Sequence, residues 1–255
     1  MAAPRPVVLV TGAGSGLGVV VAERLAADGY TVAASDIRQE TAEKTLGRLS
    51  GPGHKAWRLD VTDESAIETT FRDIEASQGP MYGLVTCAGG VRNVAVAMPP
   101  TADFELDEWI FDFKLNTQGN FLCVREYLRC RRRNPLPAGR IVLISSISGQ
   151  APGKVMGVGY ASSKAAILGL MRFVALEVAS LGITVNTIAP GPFDSPAIRA
   201  SPYMDSESEV GAVPIPVGRI GKPEEIAVGV AFLLSSEATF VTGATLDMNG
   251  GMLMR

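Results

Sequence analysis

Tyr160 and Lys164 are the two residues whose types and spacing most directly predict proton chemistry. They stand four positions apart at the head of an apolar, helix-like segment that runs to about Leu181, so one helical face carries both. A free tyrosine has a pKa of about 10, and a nearby ammonium favours the phenolate and lowers that pKa. The pair is therefore predicted to exchange a proton with a substrate oxygen, although Y-x-x-x-K also occurs as an ordinary pair on a helix surface.

Ser146 adds a hydroxyl group to this pair. It ends an apolar run that is typical of a strand, 14 positions before Tyr160, and can hydrogen-bond the same substrate oxygen. Ligands of open α/β sheets bind outside the carboxyl ends of the strands, so these side chains are predicted to meet there. The residues expected to contact substrate are Ser146, Ser148, Gln150, Met156 and Tyr160, with Val91, Arg92 and Phe193 as further pocket candidates.

A glycine-rich stretch, Thr11 to Gly18, separates the apolar run Val7–Val10 from an apolar segment with helical character. Strand, glycine turn and helix is the arrangement that places backbone N–H groups and a helix N-terminus against a pyrophosphate. The spacing is T-G-x-x-x-G-x-G and not G-x-G-x-x-G, because Leu17 would hold the third glycine position when counting starts at Gly12. For the motif by itself, a glycine-rich turn without a ligand is the alternative.

Asp36 follows the second predicted strand, 18 residues after Gly18, about where a dinucleotide fold places the acid that binds the adenosine ribose hydroxyls. A carboxylate there repels the 2′-phosphate of NADP, and Ser15 in the glycine loop supplies no compensating cation. Arg38 follows shortly after, and we expect it to point to solvent. NAD is therefore the predicted cofactor, while a surface aspartate that caps the next helix is the alternative.

Apolar runs alternate with helical patterns along the chain, which is the pattern of a parallel sheet covered on both faces. We expect an α/β protein with one Rossmann-type, doubly wound parallel sheet of about seven strands and helices on both faces. Residues 1–255 are predicted to form a single dinucleotide-binding and catalytic domain, with residues 196–217 as a substrate lid. The predicted strands are Val7–Thr11, Thr31–Ser35, Lys55–Leu59, Tyr82–Thr86, Arg140–Ile144, Ile183–Ile188 and a last one near Leu246.

Two helix boundaries follow from local residue types. Thr62 is the predicted N-cap of the helix after the third strand, where the next two residues are acidic and are favoured by the helix dipole. A long helix is predicted from Glu108 to about Arg132, because helical periodicity continues through this stretch.

The composition favours a globular protein and argues against several classes of partner. Of 255 residues, 47% are apolar and 19% charged, and the net charge of −3 predicts no nucleic-acid surface. No apolar stretch approaches the roughly 18 residues that a membrane span needs, and the N-terminus shows no signal-peptide core. The three cysteines lack metal-ligand spacing and suit reduced thiols, so we expect a cytoplasmic location and no metal.

Together these motifs resemble the classical short-chain dehydrogenase/reductase family, and the resemblance covers the whole chain. It rests on Thr11 to Gly18, Asp36, Asp60, Ala88-Gly89, Asn116, Ser146, Tyr160, Lys164, Pro190-Gly191 and Asn249-Gly250-Gly251. The resemblance implies NAD-dependent hydride transfer between a secondary alcohol and a ketone. It also implies a homo-oligomer, either a dimer or a tetramer.

The resemblance further implies a role for each matching residue. Tyr160 would be the general acid/base, Lys164 would also bind the nicotinamide ribose, and Ser146 would hold the substrate oxygen. Asn116, in a helix bend, would support a water that relays protons to Lys164. The residues implied to bind the cofactor are Gly12, Ser15, Gly16, Leu17, Gly18, Asp36, Asp60, Val61, Ala88, Gly89, Tyr160, Lys164, Pro190, Gly191, Phe193 and Ser195.

One departure and two further functions stay open. The family usually has N-N-A-G after the fourth strand, whereas Thr86 and Cys87 occupy the two asparagine positions here, so the support of that strand must differ. Reduction of a 3-oxoacyl thioester on acyl carrier protein is the second enzymatic reading, although such enzymes usually take NADPH and carry a basic residue in the glycine loop. The third possible function is that of a protein that senses NAD without turning over a substrate. Such a protein need not keep all four of Asn116, Ser146, Tyr160 and Lys164.

Overall fold

The computed structural model describes residues 5–92, 99–151, 156–200 and 215–255, apart from the side chain of Ala197. Within these residues, seven parallel strands form one sheet in the order β3-β2-β1-β4-β5-β6-β7. They are β1 Val7–Thr11, β2 Thr31–Asp36, β3 Lys55–Arg58, β4 Met81–Thr86, β5 Gly139–Ile144, β6 Ile183–Pro190 and β7 Thr245–Met248. The α/β class and the doubly wound parallel sheet are therefore confirmed, and the strand order reverses between β1 and β4.

The central strands are apolar on both faces of the sheet. In β1, Val7 and Leu9 belong to the core on one side, whereas Val8 and Val10 belong to the core on the other side. Successive side chains of a strand point to opposite faces, so burial on both faces requires a continuous apolar run. This is why the sequence pattern located the strands to within one or two residues.

Helices cover the sheet in two layers. One core packs under α1 Gly16–Ala27 and α8 Pro223–Leu234. The other packs under α3 Glu64–Gln78, α5 Gly119–Arg133 and α6 Val158–Val178. Among the described residues, no helix is both long enough and apolar enough to span a membrane. The remaining described α-helices are α2 Gln39–Leu46, α4 Leu106–Asp112 and α7 Pro196–Arg199.

The predicted cap of α3 is wrong by one residue. The Oδ1 atom of Asp63 accepts hydrogen bonds from the backbone N–H groups of Ser65 (2.9 Å) and Ala66 (3.1 Å), which makes Asp63 the N-cap. Thr62 instead donates its N–H and its hydroxyl to Asp60. Two neighbouring residues can each cap a helix, and here the turn after β3 gives that position to the aspartate.

The long helix predicted from Glu108 is interrupted. α4 ends at Asp112, a π-helical turn covers Phe113–Gln118, and α5 then continues from Gly119. A π-turn adds a residue to the helical turn and frequently occurs at functional sites. In this chain it contains Asn116.

Most of the predicted lid, residues 201–214, lies outside the described residues. Of the remaining lid residues, Pro196–Arg199 form the short helix α7. The residue before this helix, Ser195, accepts a hydrogen bond at its Oγ atom from the N–H of Ile198 at 3.2 Å. Ser195 thereby caps the short helix that follows β6.

Candidate active site

A cavity of about 830 Å³ lies at the carboxyl ends of the strands, where the strand order reverses. Residues that directly follow β1, β2, β3, β4, β5 and β6 all contribute to its wall. The structure therefore brings to one place segments that are far apart in sequence. Every residue predicted to bind the cofactor lines this cavity, as do four predicted substrate contacts: Ser146, Ser148, Met156 and Tyr160.

The glycine loop leaves backbone surface exposed to the cavity because side chains do not fit there. Gly12 has a φ of +66°, and a Cβ atom at this position would lie 2.7 Å from the backbone nitrogen of Ala88. A Cβ atom on Gly18 would lie 2.1 Å from the carbonyl oxygen of Gly12. α1 begins at Gly16, so its free N–H groups and the positive end of its dipole lie at the cavity wall. This cradle fits an anionic group such as a pyrophosphate.

Asp36 lies at one end of the cavity and is held in place by its neighbours. Its Oδ2 atom accepts a hydrogen bond from the N–H of Gly14 at 3.1 Å, and its Oδ1 atom accepts from the hydroxyl of Thr41 at 2.9 Å and the N–H of Arg38 at 3.1 Å. The contact with Thr41 links Asp36 to α2, but the N-cap of that helix is Arg38 and no side chain among the described residues caps it, so the alternative of a helix-capping aspartate is wrong. A carboxylate has about four acceptor positions, so it retains capacity for ribose hydroxyls.

Asp60 shapes the loop that follows β3. Its Oδ1 atom accepts hydrogen bonds from both the N–H and the hydroxyl of Thr62, each at 2.8 Å. The adjoining Val61 is buried, and the close approach of Gly119 leaves no room for a side chain beside it. Asp60 thus closes the loop after β3, while its implied binding of the cofactor stays a prediction.

Lys164 lies at the opposite end of the cavity and is only 4% exposed. Its Nζ atom donates to the carbonyl oxygen of Ile144 at 2.9 Å and lies 5.7 Å from the centroid of the Tyr160 ring. The hydroxyl of Ser145 donates to the carbonyl oxygen of Lys164 at 2.8 Å and so fixes α6 against the end of β5. Burial lowers the pKa of Lys164 to about 8.

The pKa of Tyr160 is raised from its ordinary value, mainly by burial. A hydrogen bond with Ser146 acts in the opposite direction, and the negative charge of Asp112 raises the pKa further. The net direction is therefore opposite to the lowered pKa that the Tyr160–Lys164 pair predicts, for the protein by itself. The physical reason is that desolvation of the phenol is the largest cause, while the Lys164 ammonium lies 5.7 Å from the ring centroid and donates to a backbone carbonyl.

Asn116 is fully buried behind the cavity and is not part of its wall. Its side-chain amide forms two hydrogen bonds of 2.9 Å with the backbone of Gly90, one in each direction, and donates to the hydroxyl of Ser163 at 3.1 Å. A Cβ atom on Gly89 would lie 2.9 Å from the Oδ1 atom of Asn116 and 3.1 Å from Lys164. Asn116 therefore joins the loop after β4 to α6 directly beside Lys164.

Comparisons with known proteins agree with this arrangement. The chain matches the family model described as enoyl-(acyl carrier protein) reductase over residues 12–253. It is 36% identical over 250 residues to the 3-oxoacyl-(acyl-carrier-protein) reductase FabG of Salmonella typhimurium, with 97% of each chain covered. It is 34% identical over 258 residues to the (3R)-3-hydroxyacyl-CoA dehydrogenase of Homo sapiens, with 96% of this chain and 95% of the relative covered.

A solved structure has the same fold over nearly the whole chain. The crystal structure of ribose-5-phosphate isomerase from Brucella melitensis 16M aligns with a TM-score of 0.87 at 28% identity, covering 98% of this chain and 93% of that one. The family model and the relatives both align with the segments that form the two ends of the cavity. The chain belongs to the short-chain dehydrogenase/reductase family.

The structure explains how this member of the family supports β4 without the usual asparagine pair. The hydroxyl of Thr86 donates to the Oδ1 atom of Asn120 at 2.5 Å, and the side-chain nitrogen of Asn120 donates to the carbonyl oxygen of Asn116 at 2.5 Å. A buried chain of hydrogen bonds therefore connects β4 to the π-turn. Sequence reasoning missed Asn120, whose only signal is that it lies four residues after Asn116 and is an amide in an apolar helix.

Cys87, the second departure from the family pattern, lines the cavity. Burial raises the pKa of its thiol to about 12, so the group stays protonated and uncharged at neutral pH. Its neutral side chain therefore adds no fixed charge beside Lys164.

The structure does not bring every predicted pocket residue to the cavity. The side-chain amide of Gln150 donates to Asp247 at 2.5 Å and lies outside the wall. Arg92 forms an ion pair with Glu108 at 2.8 Å, stacks over the ring of Phe111 and also lies outside the wall. Lining residues that sequence reasoning did not assign to the pocket include Ile37, Thr62, Phe111, Lys114, Leu115, Ile198 and Met252.

Proposed function

We propose that this protein interconverts a secondary alcohol and a ketone with NAD(H) as the hydride carrier. The observation that carries the proposal is the convergence of Ser146, Tyr160 and Lys164 on one end of a cavity whose other end holds the glycine loop and Asp36. Membership of an oxidoreductase family supports the reaction class. Acid/base groups facing a dinucleotide cradle are what hydride transfer to or from a carbonyl carbon requires.

The residues at the cradle fit a nicotinamide dinucleotide. Any Cβ atom on Gly12 or Gly18 would fill the space against the backbone, and the start of α1 favours phosphate there. Gly12, Gly16 and Gly18 would hold the pyrophosphate, Asp36 the adenosine ribose and Lys164 the nicotinamide ribose. When bound, the nicotinamide ring supplies a hydride acceptor or donor.

Charges around Asp36 support NAD over NADP. The carboxylate of Asp36 faces the cavity, and among the described wall residues only Lys114 and Lys164 are basic. Lys164 lies at the far end, and Lys114 is close enough to Asp63 to lower the pKa of that carboxyl. Arg38 is exposed and outside the wall, so no guanidinium in the described wall neutralises a 2′-phosphate beside Asp36.

The proton that accompanies the hydride is assigned to Tyr160. Its hydroxyl would give a proton to the substrate oxygen during ketone reduction and take it back during alcohol oxidation, while Ser146 donates a hydrogen bond to the same oxygen. Because the pKa of Lys164 is lowered to about 8, its amine titrates close to neutral pH and can exchange protons with its surroundings. The contacts of Asn116 support a positioning role, and its water relay stays a prediction.

A 3-oxoacyl or 3-hydroxyacyl thioester is the second candidate substrate. Relatives over 30% identical carry the names 3-oxoacyl-(acyl-carrier-protein) reductase and (3R)-3-hydroxyacyl-CoA dehydrogenase. Phe111, Met156 and Met252 form an apolar part of the wall, which suits an acyl chain as well as a simple alcohol. Arg92 is paired with Glu108, so it supplies no free cation for an acidic substrate.

Assembly and location belong to the same proposal. Large apolar side chains are exposed on α5 and α6, which supports a homodimer or homotetramer: Phe121 is 44%, Phe173 71% and Leu176 84% exposed. The cytoplasmic location stays a prediction that the free thiols of Cys87, Cys123 and Cys130 support.

A substrate screen tests the proposal. Secondary alcohols and 3-hydroxyacyl thioesters are supplied with NAD or NADP, and the absorbance of the reduced cofactor is followed, with Tyr160→Phe as the inactive control. Turnover of any secondary alcohol with NAD supports the proposal, and thioesters turned over much faster than simple alcohols would select the second candidate. Binding of NAD without turnover of any substrate in either direction would favour a sensing role instead.

A further inference from the structure

Asp112 is a buried carboxyl group to which the proposed chemistry assigns no role. It is the last residue of α4 and only 4% exposed, and its Oδ1 atom is buried without a hydrogen-bond partner among the described residues. Burial of an unpartnered polar atom costs free energy, and burial of an ionised carboxylate costs more. A residue that destabilises the fold in this way calls for a functional explanation.

The other oxygen of Asp112 lies against the start of the helix that carries Tyr160. α4 packs on α6, and a Cβ atom on Gly159 would lie only 2.5 Å from the Oδ2 atom of Asp112. Glycine at position 159 thus leaves the space that the carboxyl group occupies. Gly159 directly precedes Tyr160, so the carboxyl group lies behind the residue that is proposed to transfer the proton.

We propose that Asp112 is a positioning residue that places a negative charge behind Tyr160 and thereby sets the pH range in which this tyrosine exchanges its proton. The inference rests on the proposed function of Tyr160 as general acid/base. It concerns the electrostatic environment of that residue and not direct contact with substrate.

The charged groups that face Asp112 come from three elements. Glu108 lies one turn earlier on α4, Arg92 comes from the loop after β4, and Tyr160 comes from α6. The pKa of Asp112 is raised to about 6, mainly by burial; the charge of Glu108 contributes to this rise and Arg92 opposes it. Arg92 is held by Glu108 at 2.8 Å, so its guanidinium only partly offsets the charge of Asp112.

The sign of the effect follows from Coulomb's law. An ionised Asp112 disfavours the phenolate and raises the pKa of Tyr160, which is the direction found. Above about pH 6 the carboxyl group is ionised and the effect is present, whereas below that pH it is protonated and the effect disappears. Asp112 therefore adds to the effect of burial, which holds Tyr160 protonated at neutral pH, where it can act as an acid in ketone reduction.

The variant Asp112→Asn removes the charge with almost no change in shape. Asp107→Asn is the matched control, because Asp107 is an exposed acid on the same helix and loses the same formal charge. The first measurement is the near-ultraviolet absorbance of tyrosinate during alkaline titration. The titration is recorded for each protein with Tyr160 present and again with Tyr160→Phe added. The difference between the two curves is the titration of Tyr160 alone, and it requires no turnover.

We expect Asp112→Asn to lower the pKa of Tyr160 by about half a pH unit or more, and Asp107→Asn to leave it unchanged. The pH profile of kcat/KM for alcohol oxidation should move to lower pH by the same amount and meet the profile of the parent below about pH 6. Equal titration of Tyr160 in the two variants would overturn the inference even if the enzyme turns over alcohols. A shifted titration in a protein with no turnover would instead count against the proposed function.

Glu108→Gln keeps the test informative if Asp112→Asn does not fold. It leaves Asp112 in place but removes a charge that raises its pKa and frees Arg92 to act on it. The pH at which Asp112 begins to affect Tyr160 should therefore move below about 6. A profile identical to that of the parent would overturn the inference.

Discussion

The two ends of the cavity are built in different ways. At the nucleotide end, where the glycine loop lies, the wall includes exposed backbone and the carboxylate of Asp36, whose partners Gly14 and Thr41 lie in the loop after β1 and in α2. The other end holds Tyr160 and Lys164 and is called the catalytic end for their proposed role. There, buried side chains form hydrogen bonds that connect the loop after β4, the π-turn and α6, as Asn116 does with the backbone of Gly90 and the hydroxyl of Ser163. Contiguous sequence therefore specifies one end, and tertiary packing specifies the other.

The ends also differ in their electrostatics. At the catalytic end burial dominates: it lowers the pKa of Lys164 to about 8, raises that of Asp112 to about 6 and raises that of Tyr160. Asp36 and Asp60 at the nucleotide end are partly exposed and have hydrogen-bond donors around them. Substitutions at the catalytic end should therefore change rates and pH profiles, whereas those at the nucleotide end should change the choice and affinity of cofactor.

Tyr160→Phe should have the largest effect and test this division most severely. Only the hydroxyl is removed, and a positioned proton donor typically contributes about 10²- to 10⁴-fold to the rate. We expect kcat to fall by at least two orders of magnitude while NAD affinity, measured by quenching of protein fluorescence, stays within a few-fold. Turnover close to that of the parent would show that another group transfers the proton.

Lys164→Met should have the next largest effect and should appear mainly in the pH profile. The parent profile for alcohol oxidation is expected to contain a step near pH 8, where the amine loses its charge. Without the cation, phenolate formation at Tyr160 needs higher pH, so activity near neutral pH should fall by more than about tenfold, the equivalent of one pKa unit. A profile of unchanged shape in kcat/KM measured from pH 6 to pH 10 would contradict this coupling.

The same division explains what could be predicted from the sequence. The strands of the sheet were located because burial on both faces demands continuous apolar runs such as Val7–Val10, and the nucleotide end because glycine spacing is a local pattern. The Thr86–Asn120 hydrogen bond joins residues 34 positions apart, and their pairing depends on how α5 packs against β4. Periodicity did not show the π-turn, since one inserted residue hardly disturbs the apolar pattern of the helices around it, and only the family resemblance placed a bend at Asn116.

The direction of the Tyr160 pKa shows a second limit of sequence reasoning. Spacing places Lys164 beside Tyr160, and the sign of a neighbouring charge is easy to state. Desolvation depends on how much protein surrounds both groups, and in the structure it is the largest cause of the shift at Tyr160 and at Lys164. Asp112 adds to the same shift from α4, and its position in the chain gives no indication that it lies behind Tyr160.

Asp36→Ala tests the nucleotide end. Loss of the carboxylate removes hydrogen-bond acceptors for the ribose of NAD and the repulsion against the 2′-phosphate of NADP. The parent should prefer NAD by at least about tenfold in kcat/KM, or 1.4 kcal/mol, and the variant should narrow this ratio. Asp60→Ala is the control, because this second carboxylate of the wall should affect both cofactors alike. Preference of the parent for NADP would mean that Arg38 governs the site.

Thr86→Val should have the smallest effect on turnover. It tests the buried hydrogen bonds that connect β4 to the π-turn next to the catalytic end. Valine has nearly the same shape but cannot donate to Asn120, so a buried amide oxygen loses its partner at a cost of about 1–3 kcal/mol. The melting temperature should fall by about 2–8 °C, and kcat/KM by no more than a few-fold.

Thr184→Val is the matched control for Thr86→Val, because the Thr184 hydroxyl is buried without a partner among the described residues and its loss should leave stability unchanged or improved. Equal melting temperatures for the two valine variants would show that the Thr86 hydrogen bond does not hold β4 to the π-turn. A changed preference between NAD and NADP in Thr86→Val would contradict the separation of the two ends, since this residue belongs to the support of the catalytic end and leaves Asp36 untouched.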